Sequence, residues 1–246
     1  MCGIVGIVGH SPVAPLIVDA LKRLEYRGYD SAGVATIEHG KLARRRAEGK
    51  LVNLERRLAE EPLGGFIGIG HTRWATHGVP NEVNAHPHFS EDVAIVHNGI
   101  IENFSELRSE LVAEGFVFAS QTDTEVVAHL VSRALRGGAS PQEAAFSALK
   151  RLKGAFALAI LFRGDEDLII GARSGPPLAV GHGEGEMFLG SDAIALAPFT
   201  DAITYLEDGD WVVVRRSGMQ IFDMEGRPVE RPRQQSVGTS FLVDKG

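Results

Sequence analysis

Small and β-branched residues alternate without a charge through Gly3-Ile-Val-Gly-Ile-Val-Gly9, the pattern of a buried strand. Val13, Leu16, Ile17, Ala20, Leu21 and Leu24 then recur at helical spacing and define one apolar face. Ser11 reads as the N-cap of that helix and Pro12 as its first residue. Strand-like runs follow at 33–38, paired with 41–46, and at 66–71 and 93–97, the last closing on the turn dipeptide Asn98-Gly99. Helices are predicted near 50–60 and from Phe104 to Glu114, where Gly115 is the stop. Two capping boxes, Thr122 with Glu125 and Ser140 with Glu143, open helices that run to about Leu135 and Leu152. Beyond Gly154 strands dominate, at 155–162, 168–172, 177–181, 186–190, 203–206, 210–215 and 219–222, with a short helix near 192–197.

Few strand-helix-strand units alternate strictly, so a doubly wound parallel sheet is not expected. An α+β fold of two mainly antiparallel sheets with helices packed outside fits the order of elements. The polar run from Arg227 to Gly246 reads as the start of a linker, which places the domain at 2–226.

Composition narrows the function. The formal net charge of -7, with no basic tail, argues against nucleic acid or an anionic membrane as partner. The run Arg44-Arg45-Arg46 reads as a solvated strand or loop face. No stretch approaches the ~18 apolar residues of a membrane helix, and the opening apolar run is too short for a signal peptide. A single cysteine excludes an internal disulfide framework and a multi-cysteine zinc site, and a reducing cytoplasm is the expected compartment.

That cysteine stands at position 2. A small residue there favours removal of Met1, after which Cys2 carries a thiol and a free α-amine together. The amine, with an unperturbed pKa of about 7.7–8.0, can take the proton of a thiol near 8.5. Nucleophile and general base then form one unit. On the residues alone, packing remains the alternative role for Cys2.

Cys2-Gly-Ile-Val-Gly6 resembles the opening of the class II glutamine amidotransferases, which are N-terminal-nucleophile hydrolases. The runs Arg23–Gly33, His71–Gly78, Asn84–His88, His97–Asn103, Gln121–Glu125 and Ala172–Gly175 are similar, in order, to the branch of that family whose glutaminase part serves a sugar-phosphate isomerase. The resemblance implies a four-layer αββα fold of two stacked sheets between helices. It implies L-glutamine as substrate and no organic cofactor or metal.

It also implies roles for particular residues. Arg73 would clamp the glutamine α-carboxylate, a task suited to a guanidinium, and Asp123 would hold the α-ammonium unless it merely caps a helix. Asn98 and Gly99 would donate to the oxyanion. Trp74, Thr76 and His77 would line the glutamine site. Arg27 would sit near the nucleophile and His86 at the entrance, each in a catalytic or a merely structural capacity. The isomerase part, which would turn fructose 6-phosphate into glucosamine 6-phosphate, is absent here, so the chain is expected to be a piece of a longer protein or a separately encoded domain. Dimer contacts in the family would rest largely on that part, so a monomer is the expectation for this chain.

Other readings stay open at this point. Five of the nine histidines fall between 71 and 97, and imidazoles suit zinc, but no helical His-x-x-x-His pattern or carboxylate motif accompanies them. A non-catalytic ammonia or amino-acid sensor on the same fold is separated from a glutaminase by glutamine turnover, and the runs 23–33 and 84–88 argue against another class II amidotransferase, of the phosphoribosyl or asparagine-forming type.

Overall fold

The computed structural model describes residues 2–27, 30–75 and 78–236. The first half contains β1 (Gly3–Val8), α1 (Ala14–Lys22), a 3-10 turn (Glu25–Arg27), β2 (Ser31–Glu38), β3 (Lys41–Glu48), α2 (Leu51–Glu60), β4 (Ile67–Arg73), β5 (His88–Phe89) and β6 (Val93–Ile101). Three helices follow, α3 (Phe104–Ala113), α4 (Glu125–Arg136) and α5 (Pro141–Leu149). The last part holds β7 (Gly154–Phe162), β8 (Ile169–Ser174), β9 (Ala179–His182), β10 (Met187–Gly190), α6 (Ala193–Leu196), β11 (Ala202–Tyr205), β12 (Trp211–Arg215), β13 (Gly218–Phe222), β14 (Pro228–Val229) and β15 (Arg233–Gln235).

Eight strands form one sheet in the order β15-β11-β9-β10-β1-β4-β2-β3, and seven form a second in the order β14-β13-β12-β8-β7-β6-β5. The pairings between described strands are antiparallel. Strand periodicity distributes the apolar residues between layers. Ile4 and Val8 of β1 face the second sheet, where they meet the core that also holds Ile69, Val96, Ala157 and Ala159. Val5 and Ile7 point the other way, into the core shared with α1, α2 and α6. On the second sheet, Val93, Ile95, Leu158 and Ile160 pack under α3, α4 and α5. The layers are helix, sheet, sheet, helix, the expected α+β arrangement. Strands buried on both faces explain why the β1 and β7 runs are almost wholly apolar.

Several local expectations are corrected. Helix α1 begins at Ala14 with Val13 as N-cap and Pro15 in the first turn, so Ser11 and Pro12 precede it; the Val13 N–H is held instead by the Gly65 carbonyl. The Ser140–Glu143 capping box forms as expected, but the Thr122–Glu125 box does not. Helix α4 starts two residues later, at Glu125, with no side-chain cap at Thr124. The Glu125 carboxylate turns back to accept from the Ala119 and Ser120 N–H groups, each at 2.7 Å, and from the Ser120 hydroxyl at 2.6 Å.

Asn98-Gly99 is not a turn. β6 runs through it to Ile101 in unbroken register with β7, Asn98 opposite Ala157 and Gly99 opposite Phe156. Gly99 has φ +109°, and a Cβ there would lie 2.0 Å from the Ala155 carbonyl oxygen, so the strand can continue only because this residue has no side chain. The tail expected to begin a linker at Arg227 instead supplies the edge strands β14 and β15, and Arg231 forks onto buried Asp210 with two 2.9 Å contacts. The arginine run is not a solvated face either. Arg44 donates to the Pro87 carbonyl at 3.0 Å, and Arg46 to those of Val83 and Ala85 at 3.1 and 3.0 Å. Burial first of all lowers the Arg44 pKa to about 10.

Candidate active site

The site lies where β1 begins and β4 ends, against the last residues of β6 in the other sheet. Cys2 leads into β1, which pairs with β4, and Arg73 closes β4. Asn98 and Gly99 face them from β6 in the other sheet. The half-buried Cys2 sulfur accepts from the Trp74 N–H at 3.2 Å and lies 3.5 Å from the Trp74 carbonyl oxygen. Burial pushes its thiol up; the Trp74 N–H and nearby Arg73 pull the other way without reversing the shift.

Cys2, Arg73, Trp74, His86, Gly99 and Asp123 line one recess together with His97, Thr122 and Thr124. Its free volume is about 10 Å³, roughly one water. A roomier cavity of about 410 Å³ lies between α5 and the β8–β12 pair and is lined by Phe146, Leu152, Phe156 and Trp211. It carries neither cysteine nor histidine, so chemistry rather than size marks the site.

Arg73 is buried, and its guanidinium donates to the carbonyls of Gly78 at 3.2 Å and Val79 at 3.5 Å. Burial lowers its pKa, against the attraction of Asp30, Cys2 and Asp123. Asp123 does not cap α4. One carboxylate oxygen accepts from the Ile101 N–H at 2.7 Å, and the other lies 4.0 Å from His97 Nδ1. Trp74 is about half exposed at the rim. Thr76, His77 and the Arg27 side chain lie outside the described residues.

His86 is buried, stacks on His71 at 4.1 Å between ring centroids, and meets Thr124 Oγ1 at 2.9 Å. The same hydroxyl lies 2.9 Å from His97 Nδ1. Burial depresses the pKa of His71 and His88 to about 3, and that of His86 far below its ordinary value, so these rings are neutral at physiological pH. Among the described residues, no group of three histidine, cysteine or acidic side chains has the geometry to hold a metal ion.

Two contributors were not legible as such. Asp30 accepts from the Ala75 N–H, fixing the chain just past Trp74. Thr124 joins two histidines. Both lie inside runs used for the family resemblance, Arg23–Gly33 and Gln121–Glu125, and a polar residue in such a run was the only signal.

Residues 71–198, about half of the chain, match the model of a glutamine amidotransferase domain. The chain belongs to that family. It is 81% identical over its whole length to a glutamine–fructose-6-phosphate aminotransferase (isomerizing) of Mesorhizobium japonicum, and 70% to the protein of the same name from Brucella abortus. It spans 40% of the length of each. Among solved structures it resembles glutamine phosphoribosylpyrophosphate amidotransferase from B. subtilis, with a TM-score of 0.79 at 28% identity over 91% of this chain and 49% of that one. The glutamine amidotransferase fold thus accounts for the two stacked sheets and their helices.

Proposed function

We propose that this domain hydrolyses L-glutamine to glutamate and ammonia, with Cys2 as nucleophile. The observation that supports it most is the convergence of Cys2, Arg73, Gly99 and Asp123 on one recess, with Asn98 hydrogen-bonded to Cys2.

Glutamine presents a carboxylate, an ammonium and a neutral amide. Its carboxylate would replace the Gly78 and Val79 carbonyls on the Arg73 fork. Its ammonium would lie against the outer oxygen of Asp123. The raised Cys2 thiol is mostly protonated at neutral pH, so it needs a base. With Met1 removed, the Cys2 α-amine takes the thiol proton and the sulfur adds to the side-chain carbonyl. Asn98 Nδ2 and the Gly99 N–H donate to the oxygen that gains the charge. As the C–N bond breaks, the α-ammonium returns its proton to the leaving nitrogen and ammonia departs. Water adds to the γ-glutamyl thioester, the C–S bond breaks, and glutamate leaves with the thiol restored.

In a longer protein like its relatives, ammonia would pass to a sugar-phosphate isomerase part that converts fructose 6-phosphate to glucosamine 6-phosphate, in the cytoplasm. The glutaminase domain would extend past Arg227 to about Ser236, with the linker after it. No helix among the described residues is long and apolar enough to cross a membrane.

The test pairs a glutamate-release assay with mass spectrometry of the N-terminus and of protein treated with a diazoketone analogue of glutamine. Turnover that survives EDTA, with the label on an N-terminal Cys2, is expected. Full activity with Met1 in place would refute the α-amine as base, and a label elsewhere would refute the nucleophile.

A further inference from the structure

We propose that His71 is a positioning residue for Asn98: its Nε2–H fixes which way the Asn98 carboxamide faces, and so aims the Nδ2 donor at the nucleophile. The proposal rests on the glutaminase reading for its kinetic consequences, though not for its geometry.

His71 Nε2 lies 2.9 Å from the His97 carbonyl oxygen and 3.0 Å from Asn98 Oδ1. A carbonyl oxygen only accepts, so Nε2 must carry the ring proton. Asn98 Nδ2 lies 3.2 Å from the Cys2 carbonyl oxygen, again an obligate acceptor. The two backbone carbonyls therefore set the whole chain of donors: His71 Nε2–H to Asn98 Oδ1, then Asn98 Nδ2–H towards Cys2. A flipped amide would place oxygen against the Cys2 carbonyl and a donor against a donor.

His71 belongs to the first sheet, opposite Ile4 of β1, while Asn98 belongs to the second. One ring thus holds the oxyanion donor of one sheet against the nucleophile of the other. It is fully buried and neutral, and it stacks on His86, so it can hold this tautomer through the working pH range.

The experiment compares wild type with Asn98→Ala, His71→Ala, His71→Ala/Asn98→Ala, His71→Gln and His71→Asn, all checked for N-terminal Cys2 and thermal midpoint. Loss of Asn98 should cost about 10²–10³-fold in kcat. His71→Ala should cost at least ~10-fold in kcat with KM within ~3-fold, and should cost less than ~3-fold when Asn98 is already alanine. Equal factors in both backgrounds would overturn the proposal. Should His71→Ala fail to fold, the amide pair decides: Gln reaches the Nε2 position and keeps most of kcat, Asn does not, and equal kcat for the two overturns it. Independently of turnover, ¹⁵N NMR should find His71 as the Nε2–H tautomer from pH 5 to 8. The Nδ1–H tautomer would sink the geometry even if glutamine is hydrolysed; an inactive wild type with the Nε2–H tautomer would sink the glutaminase reading alone.

Discussion

The Asn98 carboxamide donates to the Cys2 carbonyl oxygen across the gap between the sheets, at 3.2 Å. Replacing that amide by a carboxylate of the same shape tests what the contact does. Asn98→Asp removes the donor and sets an acceptor facing the Cys2 carbonyl. Its kcat for glutamine should fall at least 10²-fold, about 2.7 kcal/mol or more of barrier, with the fold intact by circular dichroism. Unchanged kcat would remove Asn98 from the oxyanion role.

Arg73 is expected to act through the shape of its guanidinium as well as its charge. Arg73→Lys keeps a cation but loses the fork, so KM for glutamine should rise ~10-fold or more while kcat changes less. Steady-state kinetics decides it. A variant with normal KM would mean that the carboxylate binds elsewhere.

Gly33 faces the backbone of the His86 segment, and a Cβ there would lie 1.9 Å from the His86 carbonyl oxygen. Gly33→Ala should displace that segment and lower both the thermal midpoint and turnover. Gly115→Ala is the control, because Gly115 has φ +92° but nothing within 4 Å of its added Cβ. It should cost only about 1–2 kcal/mol of backbone strain and leave turnover unchanged. Equal effects from the two would mean that the contact with His86 is immaterial.

Acid should destabilise the domain early. His71 and His88 titrate near 3 in the fold, against 6.5 ordinarily. Between those values the unfolded chain binds more protons, so stability is full above pH 6.5 and falls as pH drops, by about 1.4 kcal/mol per unit for each such histidine. Burial works against the Glu125 carboxylate, but hydrogen bonds from His129, Ser120 and the Ala119 N–H outweigh it and hold the pKa to about 2. Its contribution is full above pH 4.5 and is lost as pH falls towards 2. Urea midpoints should therefore be level above about pH 6.5 and drop steadily from there to pH 5; a flat profile below pH 6.5 would contradict the buried neutral histidines.

The layers were legible because strand and helix periodicities carry through β1, α1, β6 and β7 with little interruption. Cys2 was legible as the candidate nucleophile from its position. What the sequence hid were choices between local and distant partners. Asn98-Gly99 has turn chemistry, yet the β7 ladder outweighs it once Gly99 accepts a positive φ. Glu125 has capping-box spacing, yet Ala119 and Ser120 offer it two backbone N–H groups and a hydroxyl. Asp123 looked able to cap a helix, but the Ile101 N–H holds it. No spacing rule could reveal that His71 spans the two sheets, because its partners lie more than twenty residues away.

One consequence of the arginine run concerns what the domain avoids. β3 is the outermost strand of its sheet and, with eight residues, the longest open edge among the described residues. An edge of that length is a template for pairing with another chain. Lys41 and three consecutive arginines make it a poor one, since a second copy approaching in strand pairing would bring like charges together. The residues that steady the His86 segment also protect the sheet from aggregation.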